Sequence, residues 1–172
     1  EDMLAAETAS KLIEYVENEF QVDEMIFDIV ELACSHGIGG LKIFYDPVAE
    51  RVRWEACSIF DFYIDPTNRT EDARWVVFRS FIDEARAKVL YKKAGIDQAP
   101  ATVEYTINEL EAREGVEAFE IWYKPDSTIP KGLYAKVVGG SVVDHMEYPY
   151  MFNELDKEKP EEVPYLPISM FH

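Results

Sequence analysis

Residues 51–82 read RVRWEACSIFDFYIDPTNRTEDARWVVFRSFI. Apolar and polar residues alternate through RVRWEAC, an aromatic run FDFYID follows, and after an acidic turn comes ARWVVFRSF, the strongest strand pattern in the chain. A period of two marks an extended segment whose successive side chains point to opposite faces. Pro66 stops the middle run, because its ring holds φ near about −65° and denies the ladder an amide donor. These strands are joined by short turns. A parallel pair would need a crossover of about a dozen residues or more, so the sheet is expected to be antiparallel. Alternation along ARWVVFRSF is expected to set Trp75, Val77 and Phe81 on one strand face.

Upstream, LKIFY and RVRWEAC flank DPVAE, a Pro-bearing turn, and read as a hairpin. Before them, Leu4, Leu12, Tyr15, Val16 and Phe20, then Val22, Met25, Ile26, Ile29, Val30, Leu32 and Ala33, recur near the helical period. They predict one or two amphipathic helices over 2–36, with a break near 20–23 and a stop at His36-Gly37. Downstream, Asp83 is a fitting N-cap for DEARAKVLYKKAG, a helix over 83–95. VEAFEIWYK, LYAKVVGG and SVVDHMEY alternate again over 116–148, with PDSTIPKG and Gly139-Gly140 as turns. Residues 97–115 are ambiguous: TVEYTINELEARE can form a short helix between flexible ends. Residues 149–172 read as an extended, irregular tail. The expected fold is α+β, with N-terminal helices packed on antiparallel sheets of hairpins, in a single region spanning 1–172.

The chain has 172 residues, 48% apolar and 13% aromatic, which is the composition of a folded domain. It carries 34 acids against 17 bases, a formal net charge of −17. Nucleic-acid binding leaves a basic footprint, because Lys and Arg displace counterions from phosphates. The opposite sign argues against a protein that grips DNA or RNA through this segment. No apolar run approaches the roughly 18 residues of a membrane span, and no signal peptide opens the chain. It begins Glu1-Asp2-Met3 and ends PYLPISMFH, and both ends read as cuts in a longer polypeptide. Cys34 and Cys57 are too few for a structural zinc site; two free thiols in a reducing compartment and a single disulfide both fit them. Asn68-Arg69-Thr70 is a glycosylation sequon without a secretory context.

Candidate chemistry is sparse. HGIGGLK at 36–42 places its glycines after a helix and before a strand, the reverse of a phosphate-binding loop, so the helix end facing Gly37 carries the wrong partial charge. His36, His145 and His172 are scattered, with no metal-ligand spacing. Asp61, Asp65, Glu71 and Asp72 cluster around the turn after FDFYID. An EF-hand register started at Asp65 puts Thr67, Thr70 and Val76 where an acid, Gly and Glu are needed, and fails. Asp61, Asp65 and Asp72 still leave a carboxylate- or metal-dependent hydrolase as an alternative. The structural account makes Asp65 and Asn68 turn residues bonded to nearby backbone, points Asp61 and Asp65 to water, and gives Arg74 an acid of the turn as partner. Tyr45, Trp54, Phe60, Phe62, Tyr63, Trp75 and Phe78 are dense in the β region. Sheet core, subunit contact and an aromatic binding groove are the uses open to them.

The ordered succession of these pieces resembles the portal protein of tailed bacteriophages, in particular of short-tailed phages. The resemblance is carried by ACSHGIGGLKIFYDP, RVRWEACSIFDFYIDP, EDARWVVFRSF feeding DEARAKVLYKKAGI, and then FEIWYKP, YPYMF and VPYLPISMF. It covers most of the chain; 97–115 adds nothing to it. It implies a structural, non-enzymatic subunit of a twelve-fold ring at one capsid vertex, through which DNA is packaged and ejected. It further implies partners in the terminase motor, the capsid or scaffold, and the tail or head-completion proteins. It implies no cofactor, no metal, no membrane and no sequence-specific nucleic-acid binding, with residence in the virion after assembly in the host cytoplasm, or a prophage origin. The segment resembles the peripheral wing, ahead of the first stem helix.

Overall fold

A computed structural model describes residues 2–19, 21–46, 50–66, 72–108, 111–153 and 162–171. The chain forms two compact units, one of residues 1–59 with 167–172 and one of residues 60–166. Among the described residues no helix is long and apolar enough to cross a membrane.

The first unit opens with helices α1 (Asp2–Glu19) and α2 (Val22–His36). The expected break falls at Gln21, whose left-handed backbone (φ 50°) separates them. Gly37 ends α2 in the left-handed region, its N–H bonded to the Ala33 carbonyl at 2.8 Å, so the glycine acts as the expected cap. Strands β1 (Gly39–Asp46) and β2 (Arg51–Ser58) form the expected hairpin, paired from Gly39 opposite Ser58 to Asp46 opposite Arg51. The turn residues 47–49 lie outside the described residues. Helix α2 buries Val22 and Ile29, while every described side chain of α1 is exposed. The side chains of Leu4, Val16 and Phe20 lie outside the described residues.

The second unit is built on strands β3 (Phe62–Ile64), β4 (Trp75–Ile82), β5 (Val103–Asn108), β6 (Glu111–Tyr123), β7 (Leu133–Val138) and β8 (Ser141–Met146). All pairings are antiparallel, in the order β3-β4-β6-β7-β8, with β5 also on β6. Helix α3 (Glu84–Lys93) starts where expected, with Asp83 Oδ1 accepting from the Arg86 amide at 2.7 Å. It lays Ala87 and Tyr91 on Val116, Ala118 and Val138. The Tyr91 hydroxyl donates to the Val138 carbonyl at 2.8 Å, so the one polar tip in this core is satisfied.

Two expectations are corrected and a third is met. The run 97–115 contains no helix among its described residues: it holds β5 and the start of β6, a strand pair. Glu111–Glu114 are helix formers by propensity, but cross-strand pairing overrides a preference worth tenths of a kcal/mol per residue. Tyr105 stacks on Phe81 at 4.1 Å and 5°, a contact available only to the extended form. On β4, Trp75, Val77 and Phe81 share one face, as expected; that face is half-buried, and the opposite face carries the deeply buried Val76 (0% exposed) and Phe78 (5%). Both faces are apolar, and α3 covers the one bearing Val116 and Ala118. The tail is extended, but its described residues form strands: β9 (Met151–Asn153) pairs with β10 (Glu162–Pro164), and β11 (Ile168–Phe171) adds to β1 in the first unit.

Candidate functional site

At the corner between β3 and β4, Asp65 is buried, with its side chain 7% exposed. Its Oδ2 accepts from the Arg74 side-chain Nε at 2.8 Å and from the Arg74 amide at 3.1 Å, while its own amide donates to the Trp75 carbonyl at 3.1 Å. One carboxylate thus ties both ends of the loop. The expectation that Asp65 faces water is overturned; Asp61 is exposed, and its carbonyl accepts from the Arg79 amide at 2.7 Å. The short strand β3 ends at Ile64, and the next residue turns back onto Arg74. Asp72 is exposed, and Asn68 and Glu71 lie outside the described residues.

The guanidinium hydrogen bond to Asp65 holds its carboxyl below the usual carboxylate range. A carboxylate so held stays ionised near neutral pH and is poorly matched to acid–base work. Among the described residues no group of three His, Cys, Asp or Glu side chains is placed to hold a metal ion. Cys34 is exposed and Cys57 buried, and neither is in a disulfide.

Asp65→Asn is therefore expected to lower the melting temperature at pH 7. A depressed folded-state pKa contributes stability that is present above the unfolded value, about 3.9 for Asp, and is lost as pH falls through the folded value. The gap between the wild type and Asp65→Asn should be level from about pH 7 to 5 and close below about 4. Thermal melts across this range test it, and a gap independent of pH would exclude the Asp65 charge as its source.

The aromatic residues singled out from the sequence do not converge on one groove. Phe62 and Phe78 are core, while Tyr45, Phe60 and Tyr63 are more than half exposed. A different set does converge. Trp122 stacks on Tyr150 at 4.9 Å and 16°, meets Tyr134 at 4.4 Å, and receives the edge of Tyr148 at 6.3 Å. Tyr165 lies on Tyr150 at 5.5 Å, and the Tyr148 hydroxyl donates to the Tyr165 carbonyl. Burial pushes the Tyr134 and Tyr148 phenols well above the usual range, so both stay neutral. The Trp122 indole N–H is buried without a partner among the described residues. Such a donor costs about 1–3 kcal/mol, so ring packing must hold Trp122 in place. FEIWYKP, YPYMF and VPYLP, which are distant in sequence, contribute Trp122, Tyr148 with Tyr150, and Tyr165 to this one cluster. No local sequence signal marked it. What the cluster supplies is ring packing between segments of the second unit.

A family model described as the phage P22-like portal protein matches residues 1–162. This chain belongs to that family. A search of curated proteins returns no match. The matched span takes in the acidic corner and, of the aromatic cluster, Trp122, Tyr134, Tyr148 and Tyr150. Portal proteins are structural rather than enzymatic components of bacteriophages, and they work in oligomeric assemblies with other phage proteins. An acidic corner spent on an ion pair and an aromatic cluster spent on packing are in keeping with such a role.

Proposed function

We propose that this chain is the wing region of a portal subunit that assembles into a twelve-fold ring at the capsid vertex, through which DNA is packaged and ejected. The observation that carries this is the family match over residues 1–162. The net charge of −17 supports it physically: a surface poor in Lys and Arg repels phosphates, so DNA can slide past without being gripped. The segment performs no catalysis; packaging is driven by the terminase motor, which docks on the ring. The capsid or scaffold and the tail or head-completion proteins are its other partners, first in the host cytoplasm and then in the virion. The hydrolase alternative built on Asp61, Asp65 and Asp72 is favoured by no observation, since Asp65 is committed to Arg74.

Native mass spectrometry and negative-stain microscopy of the full-length protein test the proposal. Closed rings of twelve subunits are expected. A full-length protein that stays strictly monomeric at high concentration would overturn it.

A further inference from the structure

Helices α2 and α3 present outward faces of the same design and opposite charge. On α2, Phe27 is 69% exposed. It lies two residues from the buried Ile29, about 200° around the helix, and so points away from the core. Its neighbours one turn away are Asp23, Glu24, Val30 and Glu31, all exposed. On α3, Val89 is 56% exposed and lies two residues from both Ala87 and Tyr91, which are buried. Its neighbours one turn away are Ala85, Arg86, Lys92 and Lys93, again all exposed. Helix α2 carries four carboxylates (Asp23, Glu24, Asp28, Glu31) and no Lys or Arg, whereas α3 carries Arg86, Lys88, Lys92 and Lys93 against Glu84.

This contrast stands out against the whole chain. With 34 acids and 17 bases, a ten-residue helix with four cations is a local exception. Lys88 is paired with Glu84 at 2.7 Å, while the Arg86, Lys92 and Lys93 side chains have no ion-pair partner among the described residues. An exposed apolar side chain flanked by charges of one sign is the form of an interface anchor with its rim. The two faces complement each other and neither complements itself, which excludes a two-fold pairing of like faces.

We infer that the α2 face of one copy docks on the α3 face of the next copy of this chain, with Phe27 and Val89 as apolar anchors inside a rim of opposed charges. The inference rests on the ring proposed above. Made once per pair of copies, such a contact is heterologous, and a heterologous contact closes into a ring when its rotation divides a full turn, as the twelve-fold ring requires. Opposed charges set register and partner choice more than affinity, so the contact orders the ring and makes its assembly sensitive to salt.

Charge reversal in the full-length protein tests this. One variant carries Asp23→Lys, Glu24→Lys and Glu31→Lys, and the other Arg86→Glu, Lys92→Glu and Lys93→Glu. Each alone should form rings at a yield lower by roughly tenfold or more at low salt, because like charges then meet at every contact. Mixing the two should restore rings of alternating subunits, and this rescue also shows that both variants fold. Single variants that assemble like the wild type would overturn the inference while leaving the ring itself intact. So would rescue only when all six changes are on one chain, which would place the contact within a single copy, or no rescue in either case. A wild type that forms no rings fails earlier, at the proposed function.

Discussion

Valine in place of Gly39 is expected to destabilise the first unit by about 3 kcal/mol or more. A Cβ at Gly39 would lie 2.4 Å from the Ile29 carbonyl oxygen and 2.9 Å from Ile29 Cγ2. Neither atom can give way easily. The first belongs to the backbone of α2, and Ile29 is fully buried, so its side chain has no room to swing aside. Gly39 is itself fixed in β1 opposite Ser58 and Phe171. The remaining response is for α2 to lift from the sheet, which exposes Ile29 and Val22, each worth about 1.5–3 kcal/mol when buried. Overpacking alone costs about 1–3 kcal/mol. Gly39→Ala should give a smaller loss of the same kind. Urea denaturation measures both, and a Gly39→Val protein within about 1 kcal/mol of wild type would show that α2 can shift away from Gly39 at little cost.

Gly39 marks one limit of what the sequence discloses. In HGIGGLK the role of Gly37 was legible, because a glycine after an apolar helical run has a local cause. The close approach at Gly39 has none: its reason is the backbone and side chain of Ile29, ten residues upstream. The same division runs through the molecule. The hairpins were legible from alternation and turn residues, and the start of α3 from Asp83. The inward face of β4 was not, since apolar residues occupy both faces and only the placement of α3 chooses between them. The strand Val103–Asn108 and the start of β6 at Glu111 were not, because their strand character comes from pairing within the sheet. At the acidic corner, Arg74 as a partner was foreseeable from its distance along the chain. The burial of Asp65 depends on the loop folding back, and on that burial the carboxylate becomes a fastener rather than a solvated charge. The cluster around Trp122 was hidden for the reason Gly39 was: its members meet only through tertiary structure.

Gly132→Ala should show how firmly that cluster is held, at an expected cost of about 3 kcal/mol, which corresponds to roughly 6–12 °C in melting temperature for a chain of this size. Gly132 precedes β7 with φ +62°, a conformation that costs an L-residue about 1–2 kcal/mol. Its amide donates to the Ile129 carbonyl at 2.8 Å, within a turn where Asp126 Oδ1 also accepts from the Thr128 and Ile129 amides. A Cβ would lie 2.6 Å from the Tyr123 carbonyl oxygen, 2.7 Å from Tyr148 Cβ and 2.9 Å from Pro125 Cδ. None of these is the loose end of a side chain. Tyr148 is 6% exposed, its amide is bonded to the Lys131 carbonyl at 3.1 Å, and its ring meets Trp122 edge-on. Displacing its Cβ therefore disturbs the aromatic packing as well as the turn. Gly140 separates the two costs: φ there is +84°, but a Cβ would meet nothing within 4 Å. Gly140→Ala should cost only the backbone share, about 1–2 kcal/mol, and leave the near-ultraviolet circular dichroism unchanged. Gly132→Ala should cost more and reduce that aromatic signal. Equal losses in the two variants would mean that the turn can shift away from Tyr148, and that the cluster is not braced through Gly132.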